Sequence, residues 1–230
     1  LEAEEWRLFT AQPLDVYLQE PEPARSGPLY HLFSPAEAFR QAQEAAQSRG
    51  AAPLHLKDQV TLAPHLGGAN QNLFARNCYQ GRDQVWEAFS TPNGSRGLLG
   101  AAQQAALAGD RASLREVAKT AVKLCMIPHW DVDFLTACPG SAWEQRSFGQ
   151  AATGYAVAIA LDMAGAWLTR PGRDMVMRRL AEDVLGNINF NVWRHPYLFG
   201  CNQLSVFSMG RLAIYSILEK QPHWGHVPPY

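Results

Sequence analysis

Between Asn189 and Gln203 the chain gathers Asn191, Trp193, Arg194, His195, Tyr197, Asn202 and Gln203. Guanidinium and imidazole groups can hold an anion or handle a proton, and aromatic faces stack on sugar rings. The run from Gln203 to Leu218 is apolar at helical spacing, with Arg211 as its single charge. A helix buried all round, with a polar, aromatic loop at its N-terminal end, is one way to line the floor of a pocket. The stretch is expected to be the active or binding mouth of an all-helical domain.

Each of these residues also has a plainer reading. Asn202 suits the N-cap of the last helix, since an Asn side chain satisfies an unpaired backbone N–H there. His195, beside Pro196, fits a hydrogen-bonded structural histidine, and Trp193 and Tyr197 fit rim or core aromatics. His129-Trp130-Asp131 is a candidate second wall, or else a packed Trp with a capping Asp. Arg211 must either pair with an acid such as Asp162 or face a wet cleft, because a buried unpaired guanidinium is too costly.

Other chemistry finds little support. There is no nucleophile elbow, no P-loop and no dinucleotide fingerprint. His223 and His226 lie on a Gly-broken tail without a third ligand nearby, so no metal site is expected. Asp131-Val132-Asp133 is too thin an acidic motif for a metal-dependent isoprenoid enzyme. No cofactor is expected.

The elements that must position the mouth read as helices. Ser34 followed by Pro35 signals a helix from Pro35 to Ser48, stopping at Gly50. Helices are expected over Leu98 to Ala108, closing at Gly109-Asp110, and over Ala112 to Met126, with Pro128 as the stop. Residues His129 to Trp143 read as a connecting loop. One long helix is expected from Trp143 to Leu168, another from Pro171 to Leu185 ended by Gly186, and the last from Asn202 to Leu218. Weaker helical signals fall at Glu2 to Thr10, Asn72 to Cys78 and Gln84 to Phe89. No segment alternates apolar and polar residues as a strand would. The fold class is therefore all-α, with helical hairpins stacked side by side. Residues 1–97 read as an irregular lead with short helices, part of the same domain, and 98–230 as its helical core.

The bulk composition is consistent with this. The 230 residues are 47% hydrophobic and 18% charged, enough to bury a sizeable core. A net charge of −1 gives no argument for nucleic acid or an anionic membrane surface. No long uncharged apolar run signals a membrane span. Cys78, Cys125, Cys138 and Cys201 lack CxxC spacing and read mostly as small buried hydrophobes.

Several pieces, taken in order, resemble the heparinase II/III-like polysaccharide lyases. They are GPLYHLFSPAEAFRQ, ALAGD, IPHWDVDFL, ATGYAVAIALDMAGAWLT, RRLAEDVL and FGCNQLSVFSMGRLAI. No single piece is specific; their order and spacing carry the resemblance. It implies an incomplete α/α toroid of antiparallel helical hairpins with a cleft across it. It implies β-elimination on an acidic, uronic-acid-containing polysaccharide or oligosaccharide, in a secreted or periplasmic protein. Asn202 matches the Asn that neutralises the sugar carboxylate, making the neighbouring C–H acidic enough to remove. Gln203 stands where several relatives have a different neighbour, such as His. His195 and Tyr197 are then the proton-handling candidates. Arg194, Gln203, Arg146 and His129 are candidates for holding the acidic sugar, and Trp193 and Trp130 for stacking on it. The resemblance also implies a catalytic Tyr well past Asn202 and a β-rich C-terminal domain, neither of which lies within these 230 residues. A toroid that binds glycan or protein without cleaving, or a piece of a larger lyase, is the alternative expectation.

Overall fold

A computed structural model describes residues 13–22, 27–53, 95–126, 148–194, 196–200 and 203–221. Seven α-helices occur among them: α1 (Ala36–Ser48), α2 (Ser95–Ala108), α3 (Arg111–Cys125), α4 (Phe148–Ala164), α5 (Arg170–Arg178), α6 (Gly186–Arg194) and α7 (Gln203–Leu218). Short 3-10 turns span Leu14–Tyr17, Gly165–Trp167 and Pro196–Gly200, and a π-helical turn spans Arg179–Leu185. Among the described residues there is no strand, only an isolated bridge between Leu18 and Leu168. The described residues are therefore all-α, as expected. No described helix is long and apolar enough to cross a membrane.

Helix α4 is the centre. Its sequence is rich in alanine and nearly free of charge, so it forms a helix readily and can be buried on every side. Val157, Ala158 and Leu161 have no exposed surface, and α2, α3 and α7 all pack on it. Each fully buried Val or Leu side chain contributes about 1.5–3 kcal/mol, and a buried alanine methyl about 0.8 kcal/mol. Gly210 lets α7 approach closely: a Cβ there would sit 2.7 Å from the Ala151 carbonyl oxygen of α4.

Boundaries follow local chemistry. Asp110 caps α3 by accepting the Ser113 N–H at 2.8 Å, and Gly109 supplies the left-handed residue (φ 69°) that closes α2. Thr169 caps α5 by accepting from Gly172 N–H at 3.3 Å. Gly50, at φ 71°, follows α1 as expected.

Several expectations need correction. Ser34 does not cap α1. Pro35 occupies the cap position in an extended conformation (ψ 153°), so the helix begins one residue later, at Ala36. The helix expected to run to Leu168 leaves α geometry at Ala164, and Leu168 is extended so that it can pair with Leu18. Gly186 does not end a helix. Beyond the π turn the chain continues as α6, because Ile188 and Val192, one turn apart, are both buried. The expected polar loop is therefore helical up to Arg194. Helix α7 is not buried all round either: Met209 and Leu212 are more than half exposed. The expected helices at Glu2–Thr10, Asn72–Cys78 and Gln84–Phe89 lie outside the described residues, as do the loop from His129 to Trp143 and the tail carrying His223 and His226. Of the cysteines, Cys125 is buried and unbridged; the other three lie outside the described residues.

The lead is fastened by a few specific bonds. Thr169 N–H donates to the Tyr17 carbonyl at 2.9 Å, and Gln19 N–H to the Trp167 carbonyl at 2.8 Å. Arg115 at the start of α3 forms ion pairs with Asp15 and Glu20. Further on, Leu29 N–H donates to the backbone carbonyl of Asp162. Tyr17, Leu18 and Tyr30 belong to the same apolar core as the helices.

Candidate functional site

The mouth is built by α6, the Pro196–Gly200 turn and the start of α7. Ile188 and Val192 anchor the inner face of α6. The opposite face turns to solvent: Trp193 is 80% exposed, and Arg194, the last residue of α6, is exposed too. The Arg194 guanidinium carbon lies 5.9 Å from the centre of the Phe190 ring, a cation–π distance. Tyr197 follows in the 3-10 turn and is 49% exposed. The structure thus brings Trp193, Arg194 and Tyr197 onto consecutive turns at one end of the hairpin. Gln203 is the first residue of α7, and its side chain lies outside the described set. Asn202, His195, Trp130, His129 and Arg146 lie outside the described residues.

A second polar group emerges from the geometry. Arg211 Nε donates to Asn189 Oδ1 at 2.9 Å, and Asn189 Nδ2 donates to the Tyr215 hydroxyl at 2.7 Å. The guanidinium, amide and phenol form a chain from α7 to α6 and back. Because the phenol oxygen accepts from Asn189, its own proton is directed to another acceptor. Arg211 is therefore not paired with Asp162, which corrects that option. The Asp162 carboxylate accepts instead from the backbone N–H groups of Tyr30 (2.6 Å), His31 (3.0 Å) and Leu32 (3.0 Å). The two groups serve different helices: one ties α6 to α7, and the other ties the lead to α4.

Sequence reasoning singled out Arg211 but not its partners. The available signal was the i, i+4 spacing of Arg211 and Tyr215, which puts both on one side of α7. Asn189 needed the helical state of 186–194 to be known first. Among the described residues no cluster of His, Cys, Asp and Glu can hold a metal. Family models, curated proteins and solved structures were each compared with the chain, and none matches it.

Proposed function

We propose that the chain is a polysaccharide lyase-like protein that takes an acidic, uronic-acid-containing polysaccharide and cleaves it by β-elimination, on helical hairpins arranged as an incomplete toroid. The supporting observation is the end of α6, where Arg194 and Tyr197 face solvent on consecutive turns just ahead of α7. Helix α7 begins at Gln203, the residue after Asn202. The Asn202 amide would neutralise the sugar carboxylate. His195 or Tyr197 would then take the proton on the carbon beside it. The electron pair left behind forms a carbon–carbon double bond, the adjacent glycosidic C–O bond breaks, and the leaving oxygen takes up a proton. Arg194 and Gln203 would hold the acid group, with His129, Arg146 and Trp130 as candidates for the opposite wall. No water is consumed, and one product carries an unsaturated end.

The test is a screen of heparan, alginate and other uronates for the ultraviolet absorbance of unsaturated ends. Asn202→Ala is expected to lower turnover about 10²–10³-fold, the effect of removing one preorganised donor. Unchanged turnover in that variant overturns the assignment of Asn202. A second reading, saccharide binding without cleavage, is favoured by the open setting of Tyr197, half of which faces solvent. Saccharide binding with no unsaturated product selects it.

A further inference from the structure

The outward face of the α6–α7 hairpin carries a different kind of surface. A short connection makes the two helices antiparallel neighbours. Asn189 bonds both Arg211 and Tyr215, which fixes their register. Phe190 and Trp193 on α6, and Met209 and Leu212 on α7, lie within one turn of these bonded residues. All four are more than half exposed, as is Phe199 in the turn at the end of the hairpin.

A solvated helix face normally carries charge. Helix α1 does so, with Glu37, Arg40 and Glu44 forming ion pairs along its surface. The outward stripe of α7 reads Ser205, Met209, Leu212, Ser216 and has no charge at all. On α6 the corresponding face carries one charge, Arg194, which lies over Phe190.

We propose that this face is a two-fold interface with a second copy of the same chain, pairing hairpin against hairpin as four helices. Area supports this occupant. At roughly 150–250 Å² per large side chain, the exposed fractions of these five residues amount to on the order of 600 Å². A stable interface needs about 800 Å² per partner, including its polar rim. Charge agrees: a net charge of −1 leaves little repulsion between two copies. The four side chains are all uncharged and apolar, so the patch can meet a second copy of itself across a two-fold axis without opposing charges. The interface does not depend on lyase activity. It does claim Trp193, which for that reason has no sugar-binding part in the reaction proposed above, and it leaves Arg194, the last residue of α6, at its edge.

Light scattering and sedimentation of the whole chain, from low to high micromolar concentration, decide the matter. The expected result is a dimer that Leu212→Glu converts to monomer at the same concentration, with helical circular dichroism retained because Leu212 is two-thirds exposed. Met209→Lys is the second variant and should weaken the dimer at least tenfold. A chain that stays monomeric throughout, or a dimer untouched by either variant, overturns the proposal. A monomer whose tryptophan fluorescence responds to uronate oligosaccharide, with the response lost in Trp193→Phe, also overturns it and gives the face to the saccharide. Lyase activity retained in monomeric Leu212→Glu leaves both proposals standing, and its absence in a dimeric wild-type chain sinks only the lyase.

Discussion

The Asp162 carboxylate, without exposed surface on α4, gathers three consecutive backbone N–H groups from the lead. Successive N–H groups converge on one anion only where the chain curls tightly, and His31 supplies the curl with φ 53°, a left-handed conformation unusual for a residue with a Cβ. Asp162→Ala leaves those donors facing apolar surroundings. The expected cost is on the order of 3 kcal/mol, a fall in Tm of roughly 6–12 °C for a chain of this size, read by thermal circular dichroism. Asp162→Asn, which keeps one acceptor oxygen, should fall in between. The sequence shows Asp162 as an oddity within an apolar helix, as it does Arg211. Helical periodicity says that each needs a partner, but not which, because partners are set by helix packing and by a loop more than a hundred residues away.

At the scale of elements, α4 and α7 meet where Gly210 approaches the Ala151 carbonyl. Replacing Gly210 with Ala would raise helix propensity by about 1 kcal/mol. The added methyl would also come 2.7 Å from a backbone oxygen that cannot swing aside. Overpacking of this kind costs about 1–3 kcal/mol, so the expected result is a less stable protein, seen as a lower urea midpoint. An unchanged or higher midpoint would mean that the helices separate easily. The same elements show what sequence patterning can reach. Helices α2, α3 and α7 were legible from apolar spacing, whereas Asp110 read only as part of the close of α2 and not as the cap of α3 that it is. Helix α6 was not, since Gly186 and the asparagines around it resemble a loop, and only the burial of Ile188 and Val192 beneath neighbouring helices explains its form. The hairpin was therefore visible only in its second half. The mouth's residue types were apparent, while the Asn189–Arg211–Tyr215 chain needed both helices in place.

For the molecule as a whole, two buried phenols set an upper limit in pH. Burial holds the Tyr17 and Tyr30 hydroxyls above the ordinary phenol range. At Tyr30, Arg173 and the Gln221 hydrogen bond oppose that rise, and Asp162 adds to it. In the unfolded chain a phenol ionises near pH 10, while the folded chain keeps its proton to higher pH. Their contribution is thus complete below about pH 10 and is lost as pH rises through the folded values. Denaturation midpoints measured from about pH 8 to pH 11 should fall at the alkaline end, and Tyr30→Phe should flatten the fall. An identical slope in that variant would remove Tyr30 from the explanation.

The strap formed by Val16, Tyr17 and Gln19 has a consequence for how the chain is made. The Val16 carbonyl accepts from the Thr169 hydroxyl, 153 residues further along. A ribosome adding about 5–20 residues per second delivers the second partner roughly 8–30 s after the first. Throughout that interval the strap lacks its Thr169 partner, although Arg115, made earlier, can already pair with Asp15 and Glu20. Closure of this strap cannot precede synthesis of Thr169, and chaperones that shield short apolar segments have their opportunity before that residue emerges.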